Sequence, residues 1–253
     1  MLELTGEQLL AERSDLSPFL FHLTRDGSWA SYQNFETLDG KTLHTLNAKS
    51  SLEAILQASK IEARAGYGFF YHMVPWRGAN PQSNVRRDWL RAVCFTETPL
   101  DDVWLQVQKL PQRALQFRPY GLAFREDVIR AAGGNPLLYI NSRDSAITAA
   151  TKAIANSPSC AAMKPLLPLF ESFGPPVHKA RDVEIDFRWE REWRVPRDFS
   201  FQHQEVAFGL CPEAEIAHFE GIVGGAFPFV DPTGNTRMAK AILREFPGLG
   251  TIR

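Results

Sequence analysis

Short apolar runs, each closed by proline, glycine or aspartate, are the feature that most limits the folds available to this chain. The run Phe19–Thr24 lies between Pro18 and Asp26, and the run 92–96 ends just before Pro99. Apolar runs of roughly four to eight residues between such breaks are typical of buried strands. Further strands are predicted at 120–124, 136–140, 185–195, 205–210 and 219–223.

Helical spacing of apolar side chains occurs between these strands. Helices are predicted at 2–16, 51–59, 126–132, 144–154, 164–173 and 238–246. Ser50 followed by Glu53 predicts a capping box at the start of the second of these helices. Asp144 or Ser145 predicts the N-cap of the fourth.

Strands and helices that do not alternate regularly predict an α+β fold rather than a doubly wound parallel sheet. One hydrophobic core serves most chains of this length, so 253 residues with 44% hydrophobic side chains predict a single domain over 1–253. It begins with the helix 2–16. The helices gathered at about 141–175 are interpreted as a central helical insertion.

Composition excludes several classes of protein. The net charge of -1 provides no overall electrostatic footprint for nucleic acid, and no apolar run approaches the roughly 20 residues of a membrane span. Cys94, Cys160 and Cys211 are odd in number and far apart, which favours a reducing compartment over a disulfide framework. The histidines lack metal-ligand spacing, and no secretion signal is found. We therefore expect a cytoplasmic protein with no membrane contact and no metal.

The run from 185 to 195 has the strongest functional signal. Alternation along a strand predicts one apolar face and one charged face, namely Phe187, Trp189, Trp193 and Val195 against Arg188, Glu190, Glu192 and Arg194. A half-exposed strand with its charged face in water explains this pattern. Alternatively, the apolar face anchors the strand while Glu190 and Glu192 project into a cleft, where a carboxylate stabilises oxocarbenium-like chemistry at a glycosidic carbon.

Two strand ends supply polar side chains that suit a nucleotide. His22 and Thr24 share one face of the first strand and Arg25 follows, so a hydroxyl and a cation are available for a ribose and a pyrophosphate. Thr96 and Thr98 supply hydroxyls where another strand ends. A satisfied core histidine and an ordinary strand-to-turn transition explain the same residues without a ligand.

Four of these segments together resemble a known family. They are, in chain order, Phe21-His22-Leu-Thr24, Leu52-Glu-Ala-Ile-Leu56, Val93-Cys-Phe95-Thr96-Glu-Thr98-Pro99 and Trp189-Glu190-Arg-Glu192-Trp-Arg194. They resemble the abortive-infection AbiGi-type bacterial phage-resistance proteins over most of the chain. Their order is also similar to that of ADP-ribosyltransferases, which carry a histidine or arginine on the first strand, then a Ser-Thr-Ser-like stretch, then a Glu-x-Glu. The resemblance implies a split β-sheet core with inserted helices and NAD as a substrate.

The resemblance also implies roles for single residues near the ribose and the nicotinamide. His22 contacts the NAD ribose. A tyrosine stacks on the nicotinamide in the histidine subgroup, and the candidates here are Tyr120, Tyr71 and Tyr67.

The remaining implied roles fall on the later segments. Thr96 and Thr98 take the Ser-Thr-Ser role, Glu192 is the catalytic glutamate, and Glu190 orients the acceptor or the second hydroxyl. The chain departs from the family pattern at Glu97, which stands in the middle of the Ser-Thr-Ser stretch, and at the arginines that flank Glu192.

Three hypotheses follow for the function. The first is an NAD-dependent ADP-ribosyltransferase-like effector in bacterial anti-phage defence, which transfers ADP-ribose to a protein or nucleic acid or consumes NAD, with an antitoxin or sensor protein as partner. The second is a non-catalytic family member that acts as an antitoxin or protein-interaction module. The third is a nuclease that recruits His22, Glu97, Glu190 and Glu192. Catalysis of the first kind requires His22, Glu190 and Glu192 in one cleft, whereas a binding module does not.

Overall fold

A computed structural model describes residues 17–26, 47–64, 69–70, 87–108, 116–174, 186 and 188–246. The predicted helix 2–16 and the candidates Tyr67 and Tyr71 lie outside the described residues. Within the described ranges, no helix is both long and apolar enough to span a membrane.

Short strands dominate the described residues. They are β1 Phe19–Asp26, β2 Lys60–Ile61, β3 Val93–Thr96, β4 Gln116–Arg125, β5 Asn135–Pro136, β6 Leu138–Asn141, β7 Phe170–Phe173, β8 Glu192–Val195, β9 Phe199–Ser200, β10 Val206–Leu210 and β11 Phe229–Val230. Seven of them form one sheet in the order β11-β10-β4-β1-β3-β8-β5, in which every pair is antiparallel except β10 with β11. The fold is mixed α and β with a large, mostly antiparallel central sheet, as the sequence predicts at this level.

The central sheet consists of two parts that meet between β1 and β3. β1 pairs with β4 from Phe19 to Asp26, with a register shift between Leu23 and Arg25. β1 and β3 pair only between Phe21 and Thr96, and β3 then pairs with β8 at all four of its residues. We call the single Phe21–Thr96 pair the seam of the sheet.

Six α-helices occur in the described residues, α1 Ala48–Ala58, α2 Leu100–Gln108, α3 Glu126–Ala131, α4 Ser145–Asn156, α5 Ile216–Val223 and α6 Thr236–Arg244. Asp144 caps α4 as predicted. The predicted capping box at Ser50 is wrong, because α1 begins earlier. Asn47 caps α1 by accepting a hydrogen bond from the Ser50 backbone, and Asp26 at the end of β1 accepts one from the Ala48 backbone. A bond from a distant strand therefore determines where α1 starts.

The central sheet separates two hydrophobic cores. The first core contains Leu20 of β1 and is covered by Leu52 of α1 and Phe219 of α5. The second core contains Phe21 and is covered by α2 and α6, which contribute Leu100, Val103, Ala239 and Leu243. Alternate residues of β1 therefore enter different cores, as expected for a strand that is buried on both faces.

Two predicted elements in the apolar parts of the chain are wrong in type. Residues 219–223 belong to α5 rather than to a strand, since Phe219 and Val223 lie one helical turn apart and both enter the first core. Residues 164–173 do not form an α-helix, because Pro165 and Pro168 interrupt helical hydrogen bonding. This segment instead contains a 3-10 turn over Leu167–Leu169 and then β7, which pairs in parallel with β6. The predicted central helical insertion is thus part helix and part β-structure.

Candidate functional site

The candidate side chains lie on three adjacent strands, and the strand register assigns each to a face of the sheet. Residues directly opposite each other in an antiparallel pair point to the same face. Phe21 of β1 is opposite Thr96 of β3, and Thr96 is opposite Glu192 of β8. Alternation along β1 places Arg25 on the face of Phe21, and the Arg25 guanidinium stacks on Phe117, which packs against the second core. We call this the Glu192 face.

His22, Thr24 and Tyr120 belong to the opposite face, which we call the His22 face. The ring of His22 contacts the ring of Phe95 edge-on, with 5.8 Å between centroids, and Phe95 belongs to the first core. The predicted shared face of His22 and Thr24 is therefore confirmed. The structure does not bring His22 to the face of Glu192.

His22 is held by one backbone bond and is neutral. Its Nδ1 atom lies 2.9 Å from the backbone carbonyl of Cys94, and a carbonyl only accepts, so Nδ1 carries the proton. Burial lowers the pKa of His22 to about 4, with the Cys94 bond opposing this shift and the nearby Arg25 charge adding to it. At neutral pH the Nε2 atom is therefore an acceptor. The Nδ1 bond connects β1 to β3 next to the seam.

Thr24 and Tyr120 bind other parts of the protein. The Thr24 hydroxyl lies 2.8 Å from the carbonyl of Ala48 and 3.1 Å from that of Tyr120, so it ties β1 to the first turn of α1 and to β4. The Tyr120 ring lies 6.0 Å from the Phe219 ring. Burial and the nearby Glu215 carboxylate raise the pKa of Tyr120 to about 12. These contacts are those of residues that hold the fold together.

A closed set of hydrogen bonds involves Thr96, Thr98 and Gln106 on the Glu192 face, which we call the hydroxyl network. The Gln106 amide of α2 donates to the Thr96 hydroxyl at 3.0 Å and to the Thr98 hydroxyl at 2.7 Å. The two hydroxyls lie 2.8 Å apart, and the Thr96 hydroxyl also donates to the backbone carbonyl of Glu190. The hydroxyl network thus joins the end of β3 to the segment that precedes Glu192.

That preceding segment is a turn, so the predicted continuous strand over 185–195 is wrong at 188–191, while residues 185 and 187 lie outside the described residues. Arg188–Glu190 forms a 3-10 turn, and Arg191 has a φ of 46°, in the left-handed region that costs a non-glycine residue about 1 to 2 kcal/mol. Thr96 holds the Glu190 carbonyl, and the Glu97 backbone N–H donates to the Arg191 carbonyl at 3.2 Å. These two bonds from β3 and the residue after it hold the turn in place.

Strand alternation consequently begins only at Glu192. Trp193 and Val195 enter the first core and Glu192 shares the other face with Arg194, as predicted. Glu190 is buried, but its direction follows from the turn, so alternation no longer assigns it to the face of Glu192.

Glu192 belongs to a buried ion cluster with Arg194 and Glu171, which we call the Arg194 cluster. The Nε and Nη2 atoms of Arg194 donate to the two carboxylate oxygens of Glu192 at 2.8 and 3.0 Å. Nη2 also donates to Oε2 of Glu171 at 3.0 Å, and Nη1 donates to the carbonyl of Pro168 at 2.7 Å. The Arg194 side chain is only 2% exposed. Each of the three guanidinium nitrogens is therefore bound by the protein.

The pKa values of the two carboxylates in the Arg194 cluster are shifted in opposite directions. Burial raises the pKa of Glu171 and outweighs the attraction of Arg194, while the Glu192 charge adds to the increase. Burial alone would also raise the pKa of Glu192, but the charge and hydrogen bonds of Arg194 outweigh it and hold that pKa below its ordinary value. Glu192 is therefore ionised at neutral pH, and Glu171 takes up a proton first as the pH falls.

Cys94 and Tyr139 complete the surroundings of Glu192. Cys94 is opposite Arg194, and burial and then the Glu192 carboxylate raise the pKa of its thiol to about 12. Tyr139 of β6 is opposite Glu171 of β7, and burial and the Glu192 charge raise its pKa to about 12. Both groups remain protonated at neutral pH.

Sequence reasoning missed Glu171 and Tyr139. Tyr139 lies in the segment predicted as strand 136–140, and Glu171 lies in the segment predicted as helix 164–173. Their contact with β8 depends on the β6–β7 pair, which local periodicity does not reveal. A signal was nevertheless present, since each is a polar residue within a short apolar run, Leu138-Tyr139-Ile140 and Leu169-Phe170-Glu171.

Chemically, the Glu192 face combines an ionised carboxylate with the guanidinium of Arg25, a pair of groups suited to a ligand that bears both hydroxyls and negative charge. Among the residues that the structure describes, no group of three or more histidine, cysteine, aspartate or glutamate side chains is arranged to hold a metal ion.

Comparisons with protein families, curated proteins and solved structures find no match to this chain.

Proposed function

We propose that this chain is an NAD-dependent ADP-ribosyltransferase-like effector in bacterial anti-phage defence, with Arg25, Thr96 and Glu192 as its central residues. The observation that carries the proposal is that these three side chains project from adjacent strands onto one face of the sheet. The seam between β1 and β3 supports an ADP-ribosyltransferase-like split sheet. The role in defence rests on the sequence resemblance alone.

Arg25 replaces His22 as the first-strand residue of the proposed site. The resemblance allows a histidine or an arginine at that place, and the register puts only Arg25 of this pair on the face of Glu192. The Arg25 charge adds a small contribution to the lowered pKa of Glu192, after the larger effects of Arg194 and the Cys94 thiol. A guanidinium on that face suits the pyrophosphate of NAD.

Glu192 supplies the charge that the proposed reaction requires. When the bond between ribose and nicotinamide breaks, its electron pair leaves with nicotinamide and positive charge develops at the sugar carbon. An ionised carboxylate that accepts the hydrogen bond of the ribose 2'-hydroxyl stabilises this charge. An acceptor hydroxyl or amine of a protein or nucleic acid then forms the new bond and releases its proton; attack by water would instead consume NAD.

The hydroxyl network contributes to the proposed site by fixing the position of the turn before Glu192. Thr96 holds the Glu190 carbonyl, so the turn before Glu192 is fixed relative to β3. A carboxylate held in one orientation before the substrate binds loses less conformational freedom at the transition state.

A second candidate function is a non-catalytic antitoxin or protein-interaction module. The observation that favours it is that both oxygens of Glu192 accept hydrogen bonds from Arg194 and that Thr96, Thr98 and Gln106 satisfy one another. Such closed networks also occur where polar groups only specify a core.

The test measures the fate of NAD labelled on its adenylate phosphate, with purified protein and cell extract. We expect label on protein or nucleic acid, or free nicotinamide, for the wild type, and a loss of about a hundredfold or more for Glu192→Gln. Arg25→Gln should also lose activity, whereas Arg118→Gln, which changes an exposed arginine paired with Asp26 at 2.6 Å, is the matched control. Glu192→Gln should fold, because Arg194 keeps Glu171 as a counter-charge.

His22→Asn distinguishes the two faces, since the asparagine amide can still donate to the Cys94 carbonyl. Activity retained in His22→Asn and lost in Arg25→Gln supports the Glu192 face. The reverse result would assign the chemistry to the His22 face. If the wild type neither transfers label nor releases nicotinamide, and calorimetry detects no NAD binding, the transferase proposal fails and the interaction module replaces it.

A further inference from the structure

We infer that Glu171 is a positioning residue that controls the charge and orientation of Glu192 through Arg194. As applied to catalysis, this inference rests on the proposed function. It assigns a role to a buried carboxylate that belongs to none of the segments on which the family resemblance depends.

The geometry links the two carboxylates through one nitrogen atom. The Nη2 atom of Arg194 donates to Oε2 of Glu171 and to Oε2 of Glu192, both at 3.0 Å. The other oxygen of Glu171 accepts the Ser172 backbone N–H at 3.0 Å, which fixes that carboxyl on β7. The side chains of Glu171 and Glu192 are 10% and 12% exposed, so water does little to uncouple them.

Glu171 therefore holds Arg194 through the same Nη2 atom that binds Glu192. Together with the Pro168 carbonyl on Nη1, it keeps the guanidinium in the orientation in which Nε and Nη2 both face Glu192. Residues that orient a functional group without touching the ligand typically change affinity or activity by about tenfold to a hundredfold. We expect the effect of Glu171 to fall in this range.

The charge of Glu171 depends on pH, so its control of Glu192 should depend on pH as well. The titratable and charged groups that act on Glu171 are Arg194 and Glu192 of β8 and Tyr139 of β6, while Cys94 of β3 and Arg25 of β1 act on Glu192. While Glu171 is protonated, the Arg194 charge acts on Glu192 alone. When Glu171 ionises, Arg194 divides its charge between two carboxylates and Glu192 becomes the stronger hydrogen-bond acceptor. The turnover number should therefore rise with pH as Glu171 ionises.

The kinetic test compares the wild type with Glu171→Gln, which resembles the protonated state at all pH values. We expect kcat for NAD to be about tenfold lower in Glu171→Gln at high pH, to equal that of the wild type at low pH, and to lose the rising limb, with KM changed less than about threefold. Glu171→Asp keeps an ionisable group and should keep a rising limb. Glu126→Gln, at the start of α3, changes a partly exposed glutamate that is also paired with an arginine, Arg130, and is the matched control. Circular dichroism establishes that each variant is folded.

A second measurement does not depend on activity. Carbon-13 NMR of the glutamate side-chain carboxyls, assigned with the two variants Glu171→Gln and Glu192→Gln, follows each group with pH. In the wild type the Glu192 signal should shift at its own pKa and again, by less, as Glu171 titrates. In Glu171→Gln the second step should disappear.

The outcomes separate this inference from the proposed function. If NAD is turned over but the pH profile of Glu171→Gln matches that of the wild type, the inference is overturned and the proposed function stands. A Glu192 signal that does not respond to Glu171 overturns it equally. If NAD is not turned over but the coupled shift is seen, the proposed function fails while the control of Glu192 by Glu171 stands.

Discussion

The two faces of β1, β3 and β8 come from the same strands but differ in their chemistry. On the His22 face, Phe95 and Trp193 pack in the first core and the His22 ring is neutral. On the Glu192 face, the Arg194 cluster keeps charges away from water. Burial of an apolar side chain contributes about 1.5 to 3 kcal/mol, whereas a buried ion cluster adds little net stability. On the His22 face these strands are stabilised by apolar burial, whereas on the Glu192 face β8 contributes a buried ion cluster.

The largest loss of stability is expected for Arg194→Met on the Glu192 face. It leaves Glu171 and Glu192 buried without a counter-charge, and we expect the free energy of unfolding at pH 7 to fall by about 3 to 5 kcal/mol in urea titrations. The loss should shrink at low pH, where the carboxylates are protonated. The control Arg125→Met removes an exposed arginine paired with Asp127, and should change stability by less than about 0.5 kcal/mol. Equal effects of the two substitutions would contradict a buried charge cluster.

A truncation on the apolar face should behave differently with pH. Leu52 of α1 is 0% exposed in the first core, so Leu52→Ala should lower the free energy of unfolding by about 3 kcal/mol. Because no ionisable group is removed, the loss should be the same at pH 5 and pH 7. Leu166→Ala, at a residue that is 45% exposed, is the control and should have little effect. A strong pH dependence for Leu52→Ala would show that the two faces are not independent.

Protonation of His22 should lower the free energy of unfolding by less than the two substitutions above, and this loss should depend on pH. Its folded pKa of about 4 lies below the ordinary histidine value of 6.5, so the unfolded chain binds the proton more readily between these values. Stability from this group is complete above pH 6.5 and is lost as the pH falls towards 4. A fully buried ring would lose about 3 kcal/mol, and the partial exposure of His22 reduces the expected loss to about 2 kcal/mol. Urea titrations across this range should show a shallower decline for His22→Asn, and identical slopes would count against a buried neutral ring.

The smallest effect is expected at the hydroxyl network. Gln106→Leu removes the donors to Thr96 and Thr98 while keeping the size of the side chain, and should lower the free energy of unfolding by about 1 to 2 kcal/mol. Thermal unfolding measures this loss. The exposed neighbour Asp102 offers the control Asp102→Asn. If Gln106→Leu is as stable as the wild type, the network does not hold the turn before Glu192.

Local sequence patterns are sufficient to predict those elements that neighbouring residues determine. Strands β1 and β3 were predicted from apolar runs between prolines and aspartates, and the α4 cap from Asp144 alone. The opposite faces of Trp193 and Arg194 followed from alternation within one strand.

Other features depend on contacts between distant segments and were missed. The turn at Arg188–Arg191 contains no glycine or proline and is held by bonds from Thr96 and Glu97. That His22 and Glu192 lie on opposite faces depends on the register across β3, a relation between segments 170 positions apart that no single run contains. The role of Glu171 likewise depends on β7 pairing with β6.

The seam has a consequence for hydrogen exchange. β1 pairs with β4 from Phe19 to Asp26, whereas the strand pairing of β1 with β3 in the described residues is limited to Phe21 and Thr96, next to the His22–Cys94 bond and the Phe95–Phe124 ring contact. Backbone amides of β4 are therefore expected to exchange mainly through global unfolding, and those of β8 through a partial opening that leaves β1 and β4 intact. Hydrogen exchange should therefore divide one continuous sheet into two cooperative units, with the Arg194 cluster in the unit that opens first.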